Sequence, residues 1–245
     1  SQRPKKQLMF ADRTCKWDQG CRACRSACPY GSLSMNEEHA PEFDWKICAA
    51  CETIECSKTC AAGALKQPVR EMTVDELIAV LLRDHNNWGS KGGVTFTGGE
   101  PLMQYDFLLA VLKECRKNWI HTAIETSGFI STEKFLKVFS LIDFAFVDVK
   151  NMDDEAHKWG TGVSNRQTLQ NISALANSNW RGRLVLRIPT IHGFNDSDEN
   201  AHKVIDFMNE NGLYEINLLK FHRLGQTKWE QLGLEYEYAH KGDMT

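Results

Sequence analysis

Eight of the nine cysteines lie between Cys15 and Cys60, and their spacing is the strongest chemical signal in the sequence. They form two blocks, Cys15-x5-Cys21-x2-Cys24-x3-Cys28-Pro29 and Cys48-x2-Cys51-x4-Cys56-x3-Cys60. Clustered thiolates bind iron–sulfur clusters or zinc, whereas disulfide frameworks belong mainly to small secreted proteins. Because this long sequence contains no signal-peptide segment, the cysteines predict bound metal rather than disulfides.

The two cysteine blocks resemble the C-x2-C-x2-C-x3-C-P run of bacterial two-cluster ferredoxins, in which the fourth cysteine ligates the other cluster. The resemblance therefore implies two 4Fe–4S clusters. One would be held by Cys15, Cys21, Cys24 and Cys60, and the other by Cys28, Cys48, Cys51 and Cys56. The first gap of the first block and the third position of the second block depart from the run. Structural zinc sites, which also use C-x2-C pairs, are the alternative.

A second stretch with chemical potential is Gly98-Gly99-Glu100-Pro101, which follows a β-rich run over 94–97. Two glycines at the end of a buried strand let a ligand approach bare backbone, since no Cβ stands in the way. Glu100 places a carboxylate at this point, and Pro101 fixes the turn. The alternative is a tight turn that needs its glycines for geometry alone.

Alternating strand and helix patterns are predicted to position these residues. We predict strands over 67–71, 94–97, 120–125, 144–149, 184–189 and 215–219. Helices are predicted near 73–82, 104–117, 131–139, 153–159, 166–177 and 197–210, the first beginning with a capping box of Thr73 and Glu76. The last five strands alternate with helices, which favours a parallel α/β sheet or barrel.

Charged residues recur where the predicted strands end. The residues at such ends are Glu125, Asp148 with Val149 and Lys150, Arg187 and His222. Because active sites of α/β barrels lie at the carboxyl ends of the strands, these residues predict a polar pocket for a zwitterion and a nucleoside. The alternatives are structural ion pairs that close the sheet and, for His222, a capped loop histidine.

The remaining histidines and the ninth cysteine carry no such pattern. Cys115 lies in a helical pattern and is predicted to be a small buried apolar residue. The scattered histidines are predicted to lie at the surface or in loops: His39, His85, His121, His157, His192, His202 and His240.

Composition excludes several classes of function. The net charge of −3 gives no reason to expect a nucleic-acid or membrane-surface partner. No apolar run approaches the roughly 18–20 residues that a membrane span needs. We expect a cytoplasmic protein.

The strand-end motifs, taken in order, resemble those of glycyl-radical-enzyme activating enzymes, the radical S-adenosylmethionine (SAM) family of pyruvate formate-lyase activase. The motifs are Gly98-Gly99-Glu100-Pro101, Ile124-Glu125-Thr126-Ser127-Gly128, Asp148-Val149-Lys150-Asn151-Met152-Asp153, Arg187 to Asp196 and Phe221-His222-Arg223-Leu224-Gly225. The resemblance covers nearly the whole chain. It implies a partial (β/α)6 radical SAM barrel over 67–245 and an inserted ferredoxin-like iron–sulfur domain over 1–66.

The resemblance also implies a reaction and a binding site. A third 4Fe–4S cluster would reductively cleave SAM, and the resulting 5′-deoxyadenosyl radical would take hydrogen from a glycine of a partner lyase, dehydratase or decarboxylase. A flavodoxin- or ferredoxin-type protein would supply the electron. Gly98, Gly99, Glu100 and Pro101 would bind the SAM amino group. Glu125, Asp148, Val149 and Lys150 would lie near its carboxylate, and Arg187 and His222 would contact the carboxylate or the ribose.

One departure concerns the catalytic cluster. The superfamily binds it with C-x3-C-x2-C, a spacing that no three cysteines here have. Ser1-Gln2 resembles the continuation of the segment that carries this motif. We therefore expect a fragment that lacks the first barrel strand and the elements after Thr245, and that does not cleave SAM alone. The alternative function is electron transfer or partner binding by an iron–sulfur protein without SAM cleavage.

Overall fold

The computed structural model describes residues 7–35, 39–89 and 92–244. The described residues divide into two compact units, one formed by 72–89, 92–221 and 243–244 and the other by 7–35, 39–71 and 222–242. The predicted domain limits of 1–66 and 67–245 stay a prediction. The expectations that concern Ser1, Gln2 and Thr245 lie outside the described residues.

The described residues contain the following strands and helices. The strands are β1 (Met9–Phe10), β2 (Leu33–Ser34), β3 (Glu42–Phe43), β4 (Leu65–Lys66), β5 (Val94–Phe96), β6 (Thr122–Thr126), β7 (Phe144–Asp148), β8 (Arg183–Thr190) and β9 (Ile216–Lys220). The helices are α1 (Ala23–Ala27), α2 (Trp45–Ala50), α3 (Glu55–Thr59), α4 (Val74–Arg83), α5 (Tyr105–Lys117), α6 (Thr132–Phe139), α7 (Asp154–Thr161), α8 (Arg166–Ala176), α9 (Asp198–Glu210) and α10 (Gln226–Gln231).

The unit that contains the cysteine blocks is built from short elements. Strands β1 and β4 pair antiparallel, as do β2 and β3. Its core combines Leu8, Leu33, Ile54 and Leu65 with cysteine side chains from both blocks. The prediction of a strand over 67–71 is wrong, because the strand ends at Lys66. Pro68 has no N–H to donate to a ladder, which is the physical reason for the early end.

The larger unit is organised by a five-stranded parallel sheet in the order β5-β6-β7-β8-β9. The prediction of a parallel α/β sheet is confirmed, and each of its five strands lies within two residues of the predicted limits. The capping box at α4 is also confirmed, because Glu76 N donates to Thr73 Oγ1 at 3.2 Å and Thr73 N donates to Glu76 Oε2 at 2.8 Å.

Alternation along the central strands separates two faces of this sheet. Ala145 and Val147 of β7 are fully buried in a core with residues from helices α5, α6, α8 and α9. Phe144, Phe146 and Asp148 point to the opposite face, since successive side chains in a strand alternate. That opposite face, at the carboxyl ends of the strands, carries the charged residues singled out above.

Membrane insertion by a helix is not indicated. Within the ranges that the structure describes, no helix combines the length and the apolar character that crossing a bilayer requires.

Candidate functional site

The glycine turn after β5 adopts a backbone conformation that favours glycine, and the predicted approach of a ligand to it stays a prediction. Gly98 has φ +85° and Gly99 has φ +74°, a left-handed region that residues with a Cβ adopt only with strain. A 3-10 turn, Pro101–Gln104, follows and leads into α5. The turn therefore presents two successive peptide groups without side chains at the carboxyl end of β5.

The Glu100 carboxylate holds this turn against the end of β6. Its Oε2 accepts from Ser127 N at 2.7 Å and Ser127 Oγ at 2.6 Å. Its Oε1 accepts from Thr126 Oγ1 at 2.5 Å and from Leu102 N at 3.1 Å. Four donors occupy the two oxygens, so the Glu100 side chain links the glycine turn to the loop after β6.

Four charged side chains from three adjacent strand ends meet in one network. Arg187 Nη1 lies 2.7 Å from Glu125 Oε2, and Arg187 Nε lies 2.6 Å from Asp148 Oδ1. Lys150 Nζ lies 2.9 Å from Asp148 Oδ2. We call Glu125, Asp148, Lys150 and Arg187 the charged tetrad. The structure thus brings together four residues that the sequence predicted for one site.

Strand register explains how the tetrad forms. Asp148 and Arg187 are direct neighbours across β7 and β8. Glu125 lies two strands away from Arg187, and the guanidinium reaches it by passing over the Phe146 ring, with Cζ 5.7 Å from the ring centroid. Thr97 Oγ1 at the end of β5 donates to Glu125 Oε2 at 3.2 Å. Neither Phe146 nor Thr97 was among the predicted site residues.

The tetrad carries two positive and two negative charges and is formally neutral. Its side chains differ in exposure, from 11% for Asp148 to 34% for Lys150. Burial opposes the charge of Arg187, but its hydrogen bonds to Asp148 and Glu125 raise the pKa of the guanidinium above its usual value. The network therefore keeps Arg187 charged and is only partly covered, which suits the binding of another charged molecule.

Two buried asparagines hold the loops after β7 and β8 together. Asn195 Nδ2 donates to the carbonyl oxygens of Lys150 at 2.6 Å and Pro189 at 2.9 Å. Asn151 Nδ2 donates to the carbonyl oxygen of Phe194 at 2.6 Å. These bonds fix the backbone that carries Lys150. Both asparagines lie in the motifs quoted above, but sequence reasoning gave them no role, because nothing local distinguishes a buried loop asparagine from an exposed one.

The other predicted residues have mixed outcomes. Val149 is 3% exposed and packs in the core, so its side chain does not face the tetrad. His222 belongs to the unit with the cysteine blocks, and its predicted role stays a prediction. The surface prediction for His157 is wrong, because the residue is 6% exposed and its Nδ1 lies 2.7 Å from the Val163 carbonyl oxygen. Cys115 is fully buried, as predicted.

The eight clustered cysteines are all free, and electrostatic coupling connects thiols within and between the two blocks. Burial, followed by the charges of Cys15 and Cys21, raises the pKa of Cys24. Burial raises the pKa of Cys56 to about 11, with further contributions from four thiols. These four are Cys28, Cys48 and Cys51 of the same predicted ligand set and Cys24 of the other.

Cys28 differs from these buried thiols. Burial favours its neutral form, but hydrogen bonds from the Ser32 hydroxyl and from backbone N–H groups lower the pKa of Cys28 below its usual value. Soft thiolates are the ligands that iron–sulfur clusters require, so the donor chemistry fits. Among the described residues, no three His, Cys, Asp or Glu side chains form a group that could hold a metal ion. The fit thus rests on donor type and on spacing in the sequence.

Comparison with known proteins identifies the family. The family model of the Radical SAM superfamily matches residues 21–205, which is more than half of the chain, so the chain belongs to this superfamily. The solved structure of Streptococcus suis SuiB bound to precursor peptide SuiA has a TM-score of 0.53 and 15% identity, covering 70% of this chain and 37% of that one. At that identity the likeness shows the fold alone.

Two curated relatives narrow the class. The 4-hydroxyphenylacetate decarboxylase activating enzyme of Clostridium scatologenes is 61% identical over 241 residues, which cover 98% of this chain and 77% of the relative. The enzyme of the same name from Clostridioides difficile (strain 630) is 56% identical over 237 residues, covering 97% and 75%. The chain is a radical SAM activating enzyme of the kind that acts on glycyl radical enzymes. SAM and a 4Fe–4S cluster are the cofactors of this family.

Proposed function

We propose that this chain activates a glycyl radical decarboxylase that acts on 4-hydroxyphenylacetate or a similar arylacetate. The observation that carries the proposal is the charged tetrad beside the glycine turn, in a chain 61% identical to an activating enzyme for such a decarboxylase. A reduced 4Fe–4S cluster and SAM, where both are bound, would supply the one-electron chemistry that removes a hydrogen atom from a glycine of the partner, and no three cysteines of this sequence have the spacing expected to hold that cluster. The residues of this chain bind and orient SAM.

The proposed roles follow from the donors available. The backbone of Gly98 and Gly99 receives the SAM ammonium group, because carbonyl oxygens can approach it where no Cβ intervenes. Glu100 and Pro101 fix that turn. The tetrad receives the SAM carboxylate, for which Arg187 offers a planar fork and Lys150 a point charge. His222 is proposed as a further contact.

We further propose that the clustered cysteines hold two additional 4Fe–4S clusters in a ferredoxin-like domain, in the sets given above. Low-potential electrons would come from a flavodoxin- or ferredoxin-type reductant. A second candidate function is electron transfer or partner binding without SAM cleavage. The two cysteine blocks, which resemble those of two-cluster ferredoxins, favour it. The chain spans 77% and 75% of the length of the two relatives.

Metal analysis and EPR of the anaerobically reconstituted chain distinguish these functions. About eight irons per chain, with an EPR signal that SAM leaves unchanged, support two cysteine-ligated clusters and favour the second candidate for this chain. About twelve irons, or a signal that SAM perturbs, support a third cluster and SAM cleavage. Stoichiometric zinc with little iron contradicts the ferredoxin-like domain.

SAM binding is tested separately by equilibrium dialysis. Lys150→Met removes one cation of the tetrad, and it should weaken SAM binding about tenfold if one charge-assisted hydrogen bond is lost. Lys158→Met is the matched control, since Lys158 pairs with Asp154 and Glu155 on α7 and lies outside the tetrad. Equal affinities of the two variants would contradict the proposed carboxylate site.

A further inference from the structure

Ser32 lies between two cysteines of the same predicted ligand set. Its Oγ is 3.2 Å from Cys28 Sγ and 3.4 Å from Cys48 Sγ, and the residue is only 7% exposed. Cys28 belongs to the first cysteine block and Cys48 to the second. One buried hydroxyl therefore contacts thiols from both blocks.

Binding of iron determines which atom donates in these hydrogen bonds. Between a hydroxyl and a free thiol, either atom can donate. A cysteine that ligates iron is a thiolate without a proton, so only the Ser32 hydroxyl can donate. Its one proton serves one sulfur at a time, and Cys28 is the nearer.

The backbone keeps this hydroxyl in place. Asp44 N donates to the Ser32 carbonyl oxygen at 2.8 Å. Asp44 is also the N-cap of α2, where its side chain accepts from Lys46 N and Ile47 N. Because α2 carries Cys48, the position of Ser32 is tied to the helix that presents one of the two sulfurs.

Among the described residues, the hydroxyl groups that contact clustered cysteine sulfurs lie in one ligand set: Ser32 contacts Cys28 and Cys48, and Thr53 Oγ1 lies 3.7 Å from Cys51 Sγ. In the set with Cys28 and Cys48, Ile54 N also donates to Cys51 Sγ at 3.4 Å. Ile54 has φ +47° although it is not glycine and is 2% exposed, so the fold tolerates strain at the residue whose N–H faces sulfur. Cys60 of the other set accepts from Leu65 N at 3.4 Å. The hydroxyl contacts of Ser32 and Thr53 are thus features of one set, and the Ser32 hydroxyl lies closer to sulfur.

We propose that Ser32 is a positioning residue that raises the reduction potential of the cluster held by Cys28, Cys48, Cys51 and Cys56. The inference rests on the proposed two-cluster domain. Reduction adds one electron and hence one negative charge, which spreads onto the cysteine sulfurs. A donor to those sulfurs stabilises the reduced state more than the oxidised one. An electron delivered by a flavodoxin- or ferredoxin-type protein then favours this cluster over the other.

The test is an EPR-monitored redox titration of the reconstituted chain and its variants. Ser32→Ala should lower one of the two midpoint potentials and leave the other unchanged. If the hydrogen bond favours the reduced over the oxidised state by about tenfold in the equilibrium constant for reduction, its loss should lower the potential by ~59 mV for a one-electron couple. Ser34→Ala, at an exposed serine of β2, is the matched control and should change neither potential.

Iron analysis separates failure of this inference from failure of the cluster proposal. Wild-type chain with fewer than about eight irons contradicts the two clusters themselves. Full iron loading with two unchanged potentials in Ser32→Ala overturns only the role of Ser32. If Ser32→Ala takes up less iron, Ser32→Thr, which keeps the hydroxyl, must restore both iron content and potential. Failure of the threonine variant to do so also overturns the inference.

Discussion

Replacement of Glu100 by glutamine tests whether its carboxylate holds the glycine turn against β6. The two carboxylate oxygens accept four hydrogen bonds, two of them from the backbone N–H groups of Ser127 and Leu102. Glutamine keeps the shape but replaces one oxygen by an amide nitrogen, which cannot accept. The Thr126 and Ser127 hydroxyls can rotate to accept instead, whereas a backbone N–H cannot. Glu100→Gln therefore leaves one backbone donor without an acceptor.

The expected loss of stability follows from these contacts. An unpaired buried donor costs about 1–3 kcal/mol, and the remaining bonds lose charge assistance worth about 1 kcal/mol. We expect Glu100→Gln to lower the free energy of unfolding by about 2–4 kcal/mol. With a urea m-value near 3 kcal/mol per M, the unfolding midpoint should fall by about 1 M.

The assay compares Glu100→Gln with Glu199→Gln in urea titrations of the same chain. Glu199 pairs with Lys203 at 2.6 Å on the surface of α9, and its side chain is 77% exposed. Loss of that pair should cost no more than about 0.5 kcal/mol. Hydrogen exchange shows where Glu100→Gln destabilises the chain, since the exchange rates of amides in β5 and β6 should increase first. Equal midpoints for the two variants would refute the reasoning.

Three other substitutions have defined outcomes. In Arg187→Lys, the lysine can pair with only one of Asp148 and Glu125, so SAM binding measured by calorimetry should weaken about tenfold while the circular dichroism spectrum stays unchanged. An unchanged affinity would contradict the proposed role of the tetrad in SAM binding. Asn171→Leu removes a fully buried amide that donates to two carbonyl oxygens, and it should lower the free energy of unfolding, measured in urea, by about 3 kcal/mol. A loss below about 1 kcal/mol would contradict this prediction. Burial raises the pKa of the Cys115 thiol from 9.0 to about 11, so its stabilising contribution is complete below pH 9 and is lost as the pH rises to about 11. Cys115→Ala should therefore lose less stability over that window than wild type, by a difference on the order of 2 kcal/mol in urea, and parallel pH profiles would disprove this.

Local patterns predicted the elements of the fold better than the contacts between them. Alternation of strand and helix was sufficient for the parallel sheet, because each βαβ unit must bury a strand under a helix. The strand over 67–71 failed where Pro68 interrupts pairing, and His157 was misplaced because a helical histidine is buried or exposed according to what packs on it. The partners of Glu100 are 26 and 27 residues away in sequence. Such pairs depend on the register of β5 and β6, which no local pattern encodes.

The neutrality of the charged tetrad limits what the proposed site can bind. A lone anion would compete with Asp148 and Glu125 for Arg187 and would leave a carboxylate without its partner in a half-buried site, at a cost of several kcal/mol. A zwitterion brings an ammonium group and a carboxylate together. Its carboxylate can take a place on Arg187 or Lys150 while its ammonium compensates the displaced charge, so the net charge of the site does not change. Under the proposed function, the methionine part of SAM is such a ligand. A decarboxylated SAM analogue that keeps only the ammonium group should therefore bind more weakly than SAM. In Asp148→Asn, the difference in affinity between SAM and this analogue should be smaller than in the wild type.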